Sequence, residues 1–502
     1  MPSPNIPADS ALLSSPLARG PGALPRQRQL IQRLKQAILA GQLPAGGKLP
    51  SSRSLSEDLA ISRNTVLIAY EQLTAEGYVV ADRQGTRVAP LSAPLSASLS
   101  TARLPSAART AKRTLPPAPA TATRLSRIVA TRAPSDSSLP LTPGTPALTQ
   151  FPLNAWRRAQ ERALHAAPAA TLGYGHPIGE PALREAIAQY LRVSRGVHCD
   201  ASRIIITEGA QGALALCVQL LTNPGDTAWL EDPGYRGAKS AFHAGDLSVV
   251  AMRVDADGIV IPEDAWRTQP PRLIQITPTH QYPTGAVLSV ARRLDLLERA
   301  RRAGAWIIED DYDSEFRHQG EPIAAMQGLV PNAPVLYVGT FSKTLFPALR
   351  LGFLVLPEAL AQTALPSVVE MLRGGHRLEQ LTLAAFIDNG QFSRHLGRMR
   401  RLYRDRQAAL REALAAHLRV DHEVLGGHSG LHLTVRLPPD IPDQAIVAQA
   451  RQAGMNPSAL SSFAITPRPE DNGLVIGYGN TSADHFPTMI KRLGDFARQA
   501  RR

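Results

Sequence analysis

Apolar residues recur at helical spacing near the start of the chain. Within residues 26–43, Leu30, Leu34 and Ile38 fall on one face of a predicted helix, and Gly41 can end that helix. The opposite face is polar. This stretch therefore predicts an amphipathic helix that buries one face in a small core.

The next stretch, LPSSRSLSEDLAISRNTVLIAYEQLTAEGYV, predicts two more helices joined by a tight turn. Ser51 or Ser52 can cap a short helix that ends near Leu59; Ile61 lies in the turn, and Ser62 can cap the second helix. The inward face of the second helix is predicted to carry Val66, Tyr70 and Leu73. Such a pair indicates a helix-turn-helix, and the following GYVVADRQGTRVAP predicts two short strands forming a wing.

Strand-like and helix-like segments then alternate over residues 137–502. Five strand-like runs each lead into a polar or glycine-rich loop: RIIITEGAQGAL, TAWLEDPGYRG, RLIQITPTHQYPTG, AWIIEDDYDSEF and VLYVGTFSKT. This repetition predicts an α/β fold with a mainly parallel sheet and helices on both of its faces. We also expect a smaller C-terminal α+β part. In such sheets the loops at the carboxyl ends of the strands converge on one ligand site.

Composition divides the chain into regions. We expect a disordered tail at 1–25, the winged helix-turn-helix at 26–88 and the α/β domain at 137–502, with its large part at about 166–365 and its small part at about 366–502. The intervening 89–136 is rich in Ala, Pro, Ser and Thr with few large apolar residues, which predicts a flexible linker, although a short helix at 123–131 is compatible with the pattern.

Charge adds a partner to this picture. Residues 1–136 hold 17 Lys and Arg against 7 Asp and Glu, whereas residues 137–502 hold 38 against 35. A basic surplus confined to the first quarter indicates a polyanion partner there, nucleic acid before membrane. The chain has no run of about 18 apolar residues and no signal-peptide pattern, so we expect a cytoplasmic protein. Cys199 stands beside His198 without a CxxC, so two reduced thiols and no metal site are expected.

The second helix of a helix-turn-helix presents its first residues to base edges. Those residues include Arg63, which suits guanine, and Asn64, which suits adenine. Arginines outside that helix would contact phosphates. The DNA-binding residues that we predict are Arg53, Ser62, Arg63, Asn64, Thr65 and Arg87. The competing interpretation is a small helical module with solvated arginines.

The loops of the α/β region carry the candidate chemistry. Gly209, Ala210 and Gln211 open a helix whose backbone N–H groups can hold a phosphate. Asp310 and Asp311 end an apolar strand, so at least one carboxylate is expected to be partly buried and to need a cationic partner.

Lysine is rare in this chain, with six residues in 502, and one of them is Lys343. We place Lys343 at the end of a strand beside Ser342, with Arg350 seven residues on. A lysine among tyrosines and arginine can act as a nucleophile toward a carbonyl. Pyridoxal phosphate has an aldehyde, a phosphate and a ring nitrogen, and would satisfy all of these groups. The competing interpretation is a plain buried ion pair between Lys343 and Asp310.

Two families share these motifs. The stretch LPSSRSLSEDLAISRNTVLIAYEQLTAEGYV resembles the winged-helix domain of the GntR family. The segments YGHPIGEPALREAIAQYL, ITEGAQGALAL, EDPGYRG, TPTHQYPTG, IIEDDYDSEFR and GTFSKTLFPALRLG resemble fold-type-I aminotransferases of class I/II. Joined in one chain, they resemble the MocR/GabR-type transcription regulators.

The resemblance implies roles for particular residues. Lys343 would form the Schiff base, Asp310 would pair with the pyridine nitrogen, Tyr235 would stack on the ring and Tyr312 would bond its phenolic oxygen. Tyr174 would reach in from a neighbouring subunit, which implies a homodimer. The residues implied to serve the phosphate are Ala210, Gln211, Thr340, Ser342 and Arg350.

Two positions depart from the aminotransferase pattern. Tyr282 stands where aminotransferases carry Asn before Pro-Thr-Gly, and the stretch NGLVIGYGN at 472–480 lacks the arginine that clamps a substrate carboxylate; Arg468 is the nearest upstream. Three hypotheses follow: a regulator that senses an amine or amino-acid effector through pyridoxal phosphate, a regulator for which the cofactor itself is the signal, and a working aminotransferase that carries a DNA-binding domain.

Overall fold

The computed structural model describes residues 15–18, 23–82, 85–90, 122–128, 138–318, 320 and 322–501. The chain forms two compact units, Met1–Pro119 and Ala120–Arg502. Most of the predicted linker, together with the residues at the tip of the wing, therefore lies outside the described residues.

The first unit contains the three predicted helices and the wing. Its elements are α1 (Arg26–Leu39), α2 (Ser52–Asp58), α3 (Arg63–Ala75), β1 (Val79–Asp82) and β2 (Gly85–Val88). The two caps form as predicted, because the Ser51 hydroxyl accepts from the Ser54 N–H at 3.1 Å and the Ser62 hydroxyl accepts from the Thr65 N–H at 3.2 Å. The strands β1 and β2 pair antiparallel.

The core of this unit extends into the predicted tail. Leu17 is buried in the same cluster as Leu30 and Leu34 of α1. The backbone N–H of Ala18 donates to Gln29 Oε1 at 2.9 Å, and Gln29 Nε2 donates back to the Ala18 carbonyl at 3.1 Å. Residues 15–18 are thus held against α1, because the burial of Leu17 and the two hydrogen bonds between Ala18 and Gln29 stabilise this arrangement.

The second unit is an α/β domain followed by a smaller sheet. Its strands are β3 (Ile204–Thr207), β4 (Thr227–Asp232), β5 (Ser248–Asp255), β6 (Gly258–Ile259), β7 (Leu273–Ile276), β8 (Trp306–Asp311), β9 (Val335–Thr340), β10 (Gly352–Val355), β11 (Glu423–Leu425), β12 (His432–Arg436), β13 (Ser458–Ala459) and β14 (Gly473–Gly477). Its helices are α4 (Leu153–Ala166), α5 (Pro181–Arg195), α6 (Gly209–Leu221), α7 (Arg236–Ala244), α8 (Ala265–Thr268), α9 (Val290–Ala303), α10 (Glu358–Met371), α11 (Arg377–Asp388), α12 (Gln391–His417), α13 (Asp443–Gln452) and α14 (Phe486–Ala500).

Eight strands form the large sheet in the order β3-β10-β9-β8-β7-β4-β5-β6. The strands β9, β8, β7, β4 and β5 run parallel, so their carboxyl ends share one edge. The strand β10 runs antiparallel to both β3 and β9. The prediction of a mainly parallel sheet is confirmed, with an antiparallel strand inserted next to the edge strand β3.

Both faces of this sheet are covered. The neighbouring residues Ile307 and Ile308 of β8 are fully buried in different apolar clusters, as expected for a strand with helices on each side. The strands β11-β12-β14-β13 form a separate antiparallel sheet. The predicted division near residue 365 therefore falls between the two sheets.

A short 3-10 turn, Thr123–Arg127, packs against α7. Arg127 forms an ion pair with Asp246, just beyond the end of that helix. This turn lies within the range predicted as a linker, so the chain already contacts the second unit well before residue 137. Across the described ranges, no helix has the length and apolar character needed to cross a membrane.

Candidate functional site

Three strands bring polar residues to one edge of the large sheet. In the pairing register, Gly352 of β10 lies between Thr207 of β3 and Thr340 of β9. Immediately after β3, Gly209 opens α6 with a left-handed φ of +66°. The N-terminus of α6 is thereby placed at the end of this strand group.

Arg350 lies against that helix terminus. Its guanidinium atoms are 3.5 Å from the position that a Cβ on Gly209 would occupy, and its Nη2 donates to the Glu208 carbonyl at 3.0 Å. The Thr340 and Ser342 hydroxyls are 3.1 Å apart, and the Ser342 N–H donates to Thr340 Oγ1. A helix N-terminus with an adjacent guanidinium and two hydroxyls is suited to a phosphate.

Lys343 lies in the turn that follows β9, three residues beyond the strand rather than at its end. Its Nζ is 3.1 Å from where a Cβ on Gly144 would lie. Gly144 has a φ of +69°, so its lack of a side chain both permits the turn and leaves space beside the amine. Sequence reasoning missed Gly144, because nothing near it in the chain points to the site.

Asp310 is the buried carboxylate of this edge, with 4% of its surface exposed. Its Oδ1 has no hydrogen-bond partner among the described residues. The pKa of Asp310 is raised to about 7, mainly by burial and also by the neighbouring Asp311 and Glu231, while Lys343 acts to lower it. The positive charge of Lys343 therefore favours the ionised form of Asp310. Its Oδ1 could accept a hydrogen bond from a protonated ring nitrogen.

Tyrosine rings border the space near Asp310. Burial, with a contribution from Asp310, raises the pKa of Tyr235 to about 12, while Arg350 opposes the shift. The ring centroids of Tyr235 and Tyr282 are 6.1 Å apart, and those of Tyr282 and Tyr312 are 5.7 Å apart, both edge to face. Tyr235, Tyr282 and Tyr312 thus form a continuous aromatic border to the site.

Two further predicted residues lie at the start of α6. Gln211 Nε2 donates to the Gly237 carbonyl at 3.0 Å, which ties α6 to the helix that follows Tyr235. Ala210 packs, partly buried, against the apolar cluster beneath α6. Their backbone N–H groups belong to the first turn of the helix and suit an anion.

A buried polar trio, missed at the level of sequence, supports Tyr312. His280 Nδ1 lies 2.9 Å from the Tyr312 hydroxyl and 3.0 Å from Asp313 Oδ1. His432 Nε2 lies 3.0 Å from the Pro283 carbonyl, and burial lowers the His432 pKa to about 3. Donor atoms of His280, Asp313 and His432 lie within 4.8 Å of one another, a grouping that could also hold a cation.

Two residues discussed from the sequence stand apart from this cluster. Tyr174 is 93% exposed, and the cluster's interactions described above do not include it. The guanidinium of Arg468 lies 3.8 Å from the fully buried Asp232, whose Oδ2 also accepts the Thr466 N–H at 3.2 Å. Arg468 reaches the end of β4 but is oriented by a carboxylate of the protein itself.

The first unit presents a second candidate site on α3. Arg63 and Asn64 are exposed at its N-terminus, while Thr65 is half-buried and its hydroxyl lies 2.8 Å from that of Ser62. Arg63 Nε donates to Ser52 Oγ at 3.3 Å, which orients its side chain across the turn. The first residues of α3 are therefore available to base edges.

The remaining predicted DNA contacts differ in availability. Arg53 is largely exposed and pairs loosely with Glu57 at 3.5 Å. Arg87 is mostly buried, with its Nε 3.9 Å from Asp82 and its Nη1 donating to the Gly46 carbonyl at 3.4 Å. Leu67 and Ile68 on α3 are exposed, and neither belongs to the inward face predicted from Val66, Tyr70 and Leu73.

Comparison with known proteins identifies the family of each of the two units. Residues 26–88 match the model for bacterial regulatory proteins of the gntR family, and residues 139–471 match that for aminotransferase class I and II. The probable rhizopine catabolism regulatory protein MocR of Rhizobium meliloti is 39% identical over 466 residues, covering 91% of this chain and 90% of that protein. The chain belongs to the MocR-type transcription regulators.

A second regulator and a solved aminotransferase structure also match most of this MocR-type chain. The HTH-type pyridoxine biosynthesis transcriptional regulator PdxR of Corynebacterium glutamicum is 30% identical over 479 residues, covering 93% of this chain and 95% of that one. The structure of Pyrococcus horikoshii kynurenine aminotransferase in complex with PMP superposes with a TM-score of 0.66 at 25% identity, covering 72% of this chain and 91% of that one. The MocR-type regulator thus combines a gntR-type DNA-binding domain with an aminotransferase fold.

Proposed function

We propose that this regulator holds pyridoxal phosphate covalently through Lys343 and senses either the cofactor or an amine or amino-acid effector that reacts with it. The observation that carries the proposal is the buried Oδ1 of Asp310, which has no hydrogen-bond partner among the described residues and lies on the same sheet edge as Lys343. We further propose that the protein acts as a homodimer on an operator in the cytoplasm, with Tyr174 completing the partner's site.

The residues present fit the cofactor. Asp310 would accept the ring N–H, because a buried carboxylate without a donor is otherwise costly. The pairing would favour the ionised form of Asp310, whose pKa is raised by burial. Tyr235 would cover one face of the ring, and Tyr312, held by His280, would reach its phenolic oxygen.

The phosphate would occupy the helix terminus described above. Gly209 brings the backbone of α6 close to Arg350, and the Thr340 and Ser342 hydroxyls lie next to each other at the end of β9. The chemistry that the cofactor supplies is a reactive aldehyde, which lets a primary amine be bound covalently and reversibly. The rest of the site binds, orients and screens that group from water.

Regulation is favoured over efficient turnover by the position of Arg468. Catalysis of transamination needs the α-carboxylate of an amino acid to be clamped in a fixed geometry. Arg468 is oriented toward the buried Asp232, which competes with any such clamp. The second candidate function, an active aminotransferase, keeps its support from the intact set of Lys343, Asp310 and Tyr235.

The test couples spectroscopy to DNA binding in the full-length chain. We expect Lys343→Ala to lose the visible absorption band of the bound cofactor after desalting, while the matched Lys239→Ala on α7 retains it. One amine or amino acid from a panel should shift the band without abolishing it and should change operator affinity only in chains that retain Lys343. By linkage, the effector can do this only by binding one conformational state better than another.

The alternatives give different results. If an amino acid removes the band and a keto acid restores it over many cycles, the protein is an aminotransferase. If adding the cofactor alone changes DNA affinity and no amine adds to the effect, the cofactor is the signal. A Lys343→Ala chain that keeps the band would disprove the covalent attachment.

A further inference from the structure

A cavity of about 300 Å³ lies behind the loop that follows β8, between that loop, α5 and α12. Asp310 to Asp313 belong to the candidate cofactor site, whereas the next residues of the same loop line this cavity. Its charged and polar lining includes Arg317, Arg400, Arg404, Ser314, His318 and Glu315. The candidate cofactor site does not use any of these six side chains.

Three arginines around the cavity have no acidic partner among the residues that the structure describes. None of Arg317, Arg400 and Arg404 lies within 4.0 Å of a carboxylate in the part of the chain that the structure describes. Arg317 Nε and Nη1 are also buried without a hydrogen-bond partner among those residues, whereas Arg400 Nε donates to the Glu315 carbonyl at 2.7 Å. Buried guanidinium donors without acceptors are costly, and an anion removes that cost.

Two buried neutral groups of the lining are also unsatisfied. Ser314 and His318 are 5% and 6% exposed, and Ser314 Oγ and His318 Nδ1 have no partner among the described residues. His318 Nε2 lies 2.8 Å from the Tyr478 hydroxyl, whose own proton is donated to the Gly430 carbonyl at 2.6 Å. His318 Nε2 must therefore be the donor to Tyr478, which leaves Nδ1 as a hydrogen-bond acceptor beside the cavity.

Glu315 is the one carboxyl group among the described residues that line the cavity, and its ionised form would repel an anion. The Tyr190 hydroxyl donates to its Oε1 at 3.0 Å. Burial, aided by Asp311 and opposed by Arg195, raises the pKa of Glu315 to about 7. The raised pKa favours the neutral form of Glu315, and three arginines face this single carboxyl group in the lining.

We propose that this cavity is a binding site for a small anion that also carries a hydroxyl group, such as hydrogen phosphate or a hydroxycarboxylate. The arginines supply charged donors in the planar geometry that carboxylates and phosphates accept. Ser314 can donate or accept, and His318 Nδ1 accepts the ligand hydroxyl. An anion without a hydroxyl leaves this acceptor unpaired and should bind more weakly.

The cavity is connected to the candidate cofactor site by short links. The loop of Tyr312 and Asp313 leads directly into Ser314. The Gly430 carbonyl accepts the hydrogen bond from Tyr478. The backbone of Gly430 lies close to the candidate cofactor site, because a Cβ on this residue would be 2.5 Å from Asp313 Oδ2 and 2.2 Å from the His280 ring. Anion binding in this cavity does not depend on the proposed function. A regulatory role for the cavity, as a second effector site acting through Tyr312, rests on that function.

The test is calorimetric titration of the full-length protein with inorganic phosphate, with L-malate and with succinate, before and after addition of pyridoxal phosphate. We expect saturable binding of phosphate or malate at one site per chain, with succinate weaker than malate. Arg317→Gln should weaken binding about ten- to one-hundred-fold, because it removes charge-assisted bonds. Its melting temperature should stay close to that of the wild type, since Arg317 Nε and Nη1 have no described bond to lose.

The matched control is Arg401→Gln, which removes the same charge from an exposed position on α12 outside the lining. It should leave the affinity within about twofold. Tighter phosphate would identify a phosphate-type ligand, and tighter malate a hydroxy acid; both support the site. Equal binding by Arg317→Gln, or no saturable binding of either anion, overturns it. If Arg350→Gln removes the binding instead, the anion occupied the cofactor's phosphate position, which sinks this cavity but not the proposed function.

Discussion

Asp310 gives the sharpest test of how the candidate cofactor site affects stability. In the cofactor-free chain its pKa is raised from an ordinary 3.8 to about 7, with burial as the main cause. An acid whose folded pKa is raised makes the folded chain bind more protons than the unfolded chain. The protonated Asp310 therefore contributes its full stabilisation below the pKa of the unfolded chain. This stabilisation is lost as the pH rises through the pKa of the folded chain.

The magnitude follows from the shift. Each pKa unit corresponds to about 1.4 kcal/mol, so ionising Asp310 costs up to about 4 kcal/mol above pH 7. Between pH 5 and pH 7 the loss amounts to about 2 kcal/mol. Asp310→Asn keeps the shape but cannot ionise, so we expect the cofactor-free variant to gain on the wild type by about that amount over this interval.

The assay is urea unfolding followed by tryptophan fluorescence. All four tryptophans, at 156, 229, 266 and 306, lie in the second unit, so the signal reports that unit alone. The adjacent Asp311→Asn is the control with the opposite sign. Asp311 pairs with the buried Arg195 at 2.7 Å, and losing one partner of a buried ion pair destabilises by about 3–5 kcal/mol.

A pH-independent difference in the free energy of unfolding between Asp310→Asn and the wild type would contradict a raised pKa. If the free energies of unfolding of Asp310→Asn and the wild type stay parallel from pH 5 to pH 8, Asp310 does not carry a raised pKa. Pyridoxal phosphate should reverse the ranking, because the cofactor can pair with the wild-type carboxylate and stabilises only the chain that binds it well.

Three further substitutions test separate parts of the molecule. Asn64→Ala should weaken specific operator binding by about 1–3 kcal/mol while leaving nonspecific binding near that of the Gln72→Ala control on the same helix; equal losses for both DNAs would contradict a base contact. Tyr312→Phe should retain the cofactor but move the pH midpoint of its absorption band upward, because a hydrogen bond to the phenolic oxygen is lost; an unchanged midpoint would remove Tyr312 from that role. Gly144→Ala should slow cofactor attachment, because the new Cβ lies 3.1 Å from Lys343 Nζ at a backbone φ of +69°; normal attachment kinetics would show that the turn adapts.

The parts of this fold that local chemistry decides are readable from the sequence. Ser51 and Ser62 cap their helices because a hydroxyl next to free backbone N–H groups acts within one turn. The same holds for the start of α6 at Gly209 and for the strand that ends at Asp311. The direction of β10 was not readable, because the apolar run that forms it is equally compatible with either orientation.

The rest of the site depends on distant residues. His280 and His432 are more than 150 positions apart, and only the packing of the small sheet against the loop before α9 brings them together. Leu17 was predicted to lie in a disordered tail, because only the folded α1 forms the apolar surface that buries it. Tyr174 stays a prediction, because its proposed role requires a second subunit.

The short turn Thr123–Arg127 has a mechanical consequence. A pull on the chain from its N-terminal side would load this turn first, and Arg127 would pass the force to Asp246 at the end of α7. That helix begins next to Tyr235, about 14 Å away at 1.5 Å per residue. Tension at this anchor would therefore be transmitted along one short helix toward Tyr235, the residue that we propose to cover the cofactor ring.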